Sequence, residues 1–145
     1  ACLAMMETKA NSTVVAVHWS AAIPAFPAIF LQRHCPQACP QGGFDVIDAG
    51  IIPTPGVAYL TSVLNVEMGA VISASHNPMP DNGIKFFARG GFKLPDTKED
   101  EIENVLGQDW ERPTGAGVGR ISHDTATATN LYIDHLVSTI APHRA

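Results

Sequence analysis

A serine can carry a phosphoryl group when it stands on a stiff, exposed bend with hydrogen-bond donors and a cation close by. The stretch Ser73-Ala74-Ser75-His76-Asn77-Pro78 has that make-up, and Asp81-Asn82-Gly83-Ile84-Lys85-Phe86-Phe87 follows it. Pro78, Pro80 and the Asn82-Gly83 pair restrict the backbone between them. A phosphoserine carries about −1.5 to −2 charges at neutral pH and needs partners for its oxygens. His76 and Asn77 can donate locally, and Lys85 can supply positive charge. Transfer of a phosphoryl group depends mainly on positioning and on stabilising charge spread over its oxygens. Plainer readings stand beside this one. A lone loop serine is usually just solvated, and a strand lysine is often surface charge. His76 can simply bridge loop backbone groups, and Asn77 can simply form the turn ahead of Pro78. The combination around Ser75 favours phosphoryl chemistry.

Such a bend has to be positioned by regular structure. Residues 69–73 read as a buried strand leading into it. Upstream, residues 44–47 read as a short strand ending near Gly50. Thr54 is then expected to cap a helix with Pro55 at its first position and Val57, Leu60 and Leu64 on its inner face. Downstream, residues 84–88 and 92–94 read as a hairpin across Arg89-Gly90-Gly91. Asp96 and Glu99 form a capping-box pattern for a helix through Leu106, with Ile102, Val105 and Leu106 inward. A weaker strand is expected over 118–121. A last helix, capped by Asp124, is expected to bury Ile133, Leu136, Val137 and Ile140. Alternating strands and helices predict a three-layer α/β/α domain, and the hairpin makes its mostly parallel sheet mixed. Ligands in such sheets bind beyond the carboxyl ends of the strands, where the Ser75 bend falls.

Composition narrows the partners. The 145 residues suit one domain with a real core, and 46% hydrophobic with 16% charged residues suits a folded chain. A net charge of −5 argues against nucleic acid. The apolar run 21–31 is broken by Pro24 and Pro27, so no membrane span is expected. No secretory signal is expected at the start. Three cysteines, Cys2, Cys35 and Cys39, make an unpromising disulfide framework, and a reducing cytoplasm is the expected location. His34, Cys35 and Cys39 lack a second paired half and are not expected to hold zinc. Asp45 and Asp48 are expected to be solvated strand-end carboxylates.

The Ser75 stretch closely resembles the active-site loop of the α-D-phosphohexomutases, and Asp81-Asn82-Gly83-Ile84-Lys85-Phe86-Phe87 looks most like the bacterial phosphoglucosamine mutases. Pro53-Thr54-Pro55 and Gly91-Phe92-Lys93-Leu94 match as well, and the resemblance runs from about Gly42 onward. It implies that Ser75 is the phosphoserine nucleophile and that a phosphate oxygen on it binds Mg²⁺. It implies that Lys85 assists proton transfer and that His76 and Asn77 shape the phosphate site. The implied reaction interconverts glucosamine 6-phosphate and glucosamine 1-phosphate through a bisphosphorylated sugar, a step toward UDP-N-acetylglucosamine and peptidoglycan. Phosphomannomutase or phosphoglucomutase is the alternative activity. A non-catalytic remnant of the fold is the alternative of another class.

Two departures qualify the resemblance. The family's first strand leads into a segment bearing arginines and an aspartate, whereas Val14 through Pro24 here contain neither. Residues 1–40 are therefore expected to be an atypical segment, read in a shifted frame or otherwise unrelated, with the family domain over 41–145. Family members also have four domains, and those supplying the other Mg²⁺ ligands and the sugar contacts have no counterpart here. This chain alone is expected to have little mutase activity. Translating the coding sequence in all three frames checks the first departure: a shifted frame should restore the arginine-bearing motif before residue 41.

Overall fold

In the computed structural model the described residues are 13–18, as backbone, together with 39–73, 83–105 and 112–140. The strands are β1 (Thr13–His18), β2 (Asp45–Ile51), β3 (Met68–Ser73), β4 (Gly83–Ala88), β5 (Phe92–Lys93) and β6 (Ile121–His123). The helices are α1 (Thr54–Val63), α2 (Asp96–Val105) and α3 (Thr125–Ile140), with a 3₁₀ turn at Gly115–Gly117. The strands form one sheet in the order β5-β4-β3-β1-β2-β6. β1 pairs in parallel with both β2 and β3, and β6 runs parallel to β2. β4 is antiparallel to β3 and β5 to β4. The sheet is thus mixed and mostly parallel, within an α/β/α domain.

β3 is buried along its whole length, as its uncharged sequence Met-Gly-Ala-Val-Ile-Ser requires of a strand covered on both faces. On one face Val71 joins Ala49, Ile52, Val57, Leu60, Val66 and Ala128 in the larger core, with Phe87, Leu131 and Tyr132 packed around them. On the other face Met68 packs with Cys39, Phe44, Val46 and Phe86. Thr61 is fully buried, and its hydroxyl donates to the Val57 carbonyl at 2.7 Å. Tyr59 of α1 stacks on His135 of α3 at 4.0 Å, which ties the two helices together.

The hairpin forms as expected, with Phe87 opposite Lys93 and Ala88 opposite Phe92. Gly90 and Gly91 have φ of +89° and +80°, a conformation that costs a side chain dearly. Gly91 also lies against α1: a Cβ there would overlap the Ala58 carbonyl.

Several element ends differ from expectation. α1 begins one residue early, because the Pro53 carbonyl accepts from Gly56 N at 2.7 Å and Val57 N at 3.2 Å. Pro53 is therefore the N-cap and Thr54 makes no capping bond. Likewise the Pro95 carbonyl accepts from Lys98 N at 2.8 Å and Glu99 N at 3.2 Å, and the Asp96 carboxylate takes the Lys93 ammonium at 3.0 Å. α2 ends at Val105; Ile102 is buried as expected, and Leu106 lies outside the described residues.

The strand expected over 118–121 begins instead at Ile121. Gly119 crosses directly over the backbone of Phe44, where a Cβ would overlap the Phe44 carbonyl, so pairing with β2 starts only past it. Asp45 and Asp48 are not merely solvated. Asp45 accepts from Arg120 N at 2.8 Å, while Asp48 accepts from Gly50 N at 2.9 Å and meets His123 Nδ1 at 3.0 Å. Both aspartates fasten β2 to the chain around β6.

Asp124 caps α3 as expected, its carboxylate accepting from Thr127 N at 3.4 Å. The inner face of α3 is not the expected one. Ala128, Leu131 and Tyr132 pack on the core, while Ile133, Leu136, Val137 and Ile140 are exposed.

Two substitutions measure these contacts by urea unfolding. Leu60→Ala should cost about 2–5 kcal/mol, the range for emptying a packed leucine site. Gly91→Ala should cost about 2 kcal/mol or more, because strain and overlap act together.

Candidate active site

Parallel strands bring their carboxyl ends to one edge of the sheet. β1, β2, β3 and β6 all end there. The chain leaving β2 enters α1, and the chain leaving β6 enters α3, so both helix N-termini face this edge. Neither has an acidic residue in its first turn. An N-terminal dipole end favours anions nearby; that of α1 has no acidic cap, whereas the capping Asp124 carboxylate offsets that of α3. From β1 the chain goes to the β2 side of the sheet, whereas from β3 it goes to the β4 side. This divergence is a topological switch point, the usual ligand crevice of an open α/β sheet.

The connection 74–82 springs from this point. Ser75, His76 and Asn77 belong to it and lie outside the described residues. Its two ends are described: Ser73, buried, is the register partner of Gly83. The first row of the β3–β4 ladder therefore closes the base of the connection.

Lys85 is the predicted site residue within the described set. It stands opposite Val71, two rows from the Ser73–Gly83 pair, or roughly 7 Å along the strand. Val71 is fully buried, yet Lys85 across from it is exposed. Among the described residues Lys85 makes no ion pair. It stands exposed two rows in from the edge from which 74–82 springs.

Lys93 is engaged elsewhere. Its ammonium is held above the ordinary lysine range, first by the hydrogen bond to Asp96 and then by the charges of Asp96 and Glu99. The pair is a surface tie at the start of α2. The His123–Asp48 pair also lies on the carboxyl side of the sheet, and His123 is mostly exposed. Sequence reasoning missed it because its members are 75 positions apart and only the β2–β6 register joins them. Among the described residues no three of His, Cys, Asp and Glu gather into a metal site.

A family model described as phosphoglucomutase/phosphomannomutase, alpha/beta/alpha domain I, matches residues 31–112. The chain belongs to that family. Similar curated proteins are phosphoglucosamine mutases. That of Bifidobacterium adolescentis is 96% identical over 113 residues, which cover 78% of this chain and 25% of the relative. That of Bifidobacterium animalis subsp. lactis is 87% identical over 113 residues, with the same two coverages. That of Cutibacterium acnes is 50% identical over 111 residues, 77% of this chain and 24% of the relative. The chain thus spans about a quarter of the length of the relatives it matches. A solved phosphoglucomutase/phosphomannomutase family protein from Burkholderia thailandensis superposes with a TM-score of 0.64 at 24% identity, covering 88% of this chain and 27% of that one. It supports the fold. The phosphohexomutase domain I seen here has the expected α/β/α architecture, and no helix among its described residues is long and apolar enough to cross a membrane.

Because Lys85 is exposed and carries no packing load, Lys85→Gln should leave the urea midpoint unchanged to within about 0.5 kcal/mol of stability. A large loss would mean that Lys85 is a structural residue.

Proposed function

We propose that this chain is the phosphoserine domain of a phosphoglucosamine mutase, with Ser75 as the group that gives and takes the phosphoryl. The observation that carries this reading is the placement of Lys85, at the switch-point edge beside the connection that contains Ser75, His76 and Asn77. The names of the similar curated proteins support the choice of sugar.

In this mechanism phosphorylated Ser75 faces glucosamine 6-phosphate bound at the carboxyl edge. The sugar's 1-hydroxyl attacks the phosphorus in line; the O–P bond to Ser75 breaks as the new one forms. Lys85 takes part in moving the proton off that hydroxyl, and the Ser75 oxygen leaves as the alkoxide or takes a proton in the same step. The bisphosphorylated sugar then presents its 6-phosphate to Ser75, whose hydroxyl attacks it. Glucosamine 1-phosphate leaves and the phosphoserine is restored. His76 and Asn77 donate to the transferring oxygens, and the N-terminal end of α1, which has no acidic cap, adds positive potential at the edge.

Mg²⁺, when bound, would offset the charge on the transferring group. This chain would hold it through the phosphate on Ser75. That is one donor, whereas Mg²⁺ takes six oxygens, so the remaining ligands belong to protein or water outside this chain. The sugar contacts belong there as well. In this reading the enzyme domain runs over 41–145 and residues 1–40 are an atypical segment, though one that supplies β1 to the middle of the sheet and Cys39 to the core, and the setting is cytoplasmic.

The chain should therefore accept phosphate without turning over. Incubation with glucosamine 1,6-bisphosphate should add a single phosphoryl group, read by intact mass, and Ser75→Ala should abolish it. Stronger labelling by glucose or mannose 1,6-bisphosphate would favour a phosphoglucomutase or phosphomannomutase. A coupled assay of the chain alone should detect no sustained glucosamine 1-phosphate formation. Absence of any label on Ser75 would overturn the proposal.

A further inference from the structure

α3 is apolar on two sides. Ala128, Leu131 and Tyr132 face the core, and His135 on the same side stacks on Tyr59. Ile133, Leu136, Val137 and Ile140 follow at spacings of three, one and three, which place them on one stripe about 100° wide on the opposite side. They are 48%, 42%, 59% and 60% exposed. A helix apolar on both sides belongs in the interior of something larger. The flanking polar groups agree. Ser138 donates to the His135 carbonyl and Thr139 to the Leu136 carbonyl, each at 2.7 Å, so neither hydroxyl demands water. Asp134 is the lone carboxylate between Ile133 and Ile140.

We propose that this outer stripe of α3 is the seat of the polypeptide that follows the domain in the full-length enzyme. The inference rests on the reading of the chain as one domain of a longer mutase. Three observations favour that occupant over a second copy of this chain. The curated relatives carry about three times as much sequence again beyond the matched quarter. The stripe is most exposed at Val137 and Ile140, toward the carboxyl end of the helix, from which the chain continues. Four partly exposed side chains amount to a few hundred Å², well short of the roughly 800 Å² per partner of a stable free complex. A tethered occupant, at an effective concentration near the millimolar range, can use so small a seat.

The test compares one pair of substitutions in two settings. Val137→Gln with Ile140→Gln, both favourable to helix, is placed in this chain and at the aligned positions of the whole Bifidobacterium adolescentis relative. In the chain the urea midpoint should not move; in the relative it should fall, and amide exchange along the aligned helix should quicken at least tenfold. Asp134→Gln, beside the stripe, serves as the control and should be silent in both. Equal responses in the two settings would overturn the proposal. So would a sedimenting dimer of this chain that the double substitution dissociates, which would assign the stripe to a second copy. None of these readouts involves phosphoryl transfer. An unlabelled Ser75 with a setting-dependent midpoint would therefore count against the catalytic reading alone, and a labelled Ser75 with equal midpoints against the docking alone.

Discussion

The antiparallel ladder between β3 and β4 is the constraint on which the arrangement of the carboxyl edge depends. Its first row, Ser73 with Gly83, holds the two ends of the connection 74–82 together. Its third row puts Lys85 on that same side of the sheet. β3 is in turn held by β1 on its other side and buried on both faces, so it cannot shift without disturbing both cores. A slip of one residue in this ladder would turn Lys85 to the opposite face, because side chains alternate along a strand. Backbone pairing, not side-chain contact, positions the one predicted site residue that the structure describes.

The rest of the domain serves that edge by bracing it. α1 packs over β3 through Val57 and Leu60, and the hairpin turn at Gly91 presses on the backbone of α1. On the far side, Asp45 and Asp48 fasten β2 to the chain around β6, which starts α3 at the same edge. The helix starts contribute backbone N–H groups and no carboxylates in their first turns, apart from the capping Asp124 ahead of α3. Only the start of α1, which has no acidic cap, brings a helix dipole end to this edge without a carboxylate on it.

Much of this was legible in the residues because local chemistry and tertiary need coincide. The uncharged run of β3 can only be a covered strand, and Arg89-Gly90-Gly91 supplies the positive φ that a tight hairpin demands. Where two local signals competed, the sequence misled. Thr54 is a good cap by type, yet the Pro53 carbonyl captures the N–H groups that Thr54 would have taken. Val118 has strand character, but Gly119 must pass over Phe44 before pairing can begin.

The sequence by itself determined the α/β class, the strand before Ser75, the hairpin after it, and the motifs by which the chain resembles its family. Those are properties of short stretches, set by side-chain type and by period. Tertiary structure alone decided which side of α3 faces inward, since both sides are apolar and periodicity cannot rank them. It also decided that Asp48 meets His123 and that Lys85 stands near the base of the 74–82 connection. Such pairings depend on register between segments distant in the chain, and no local pattern encodes that.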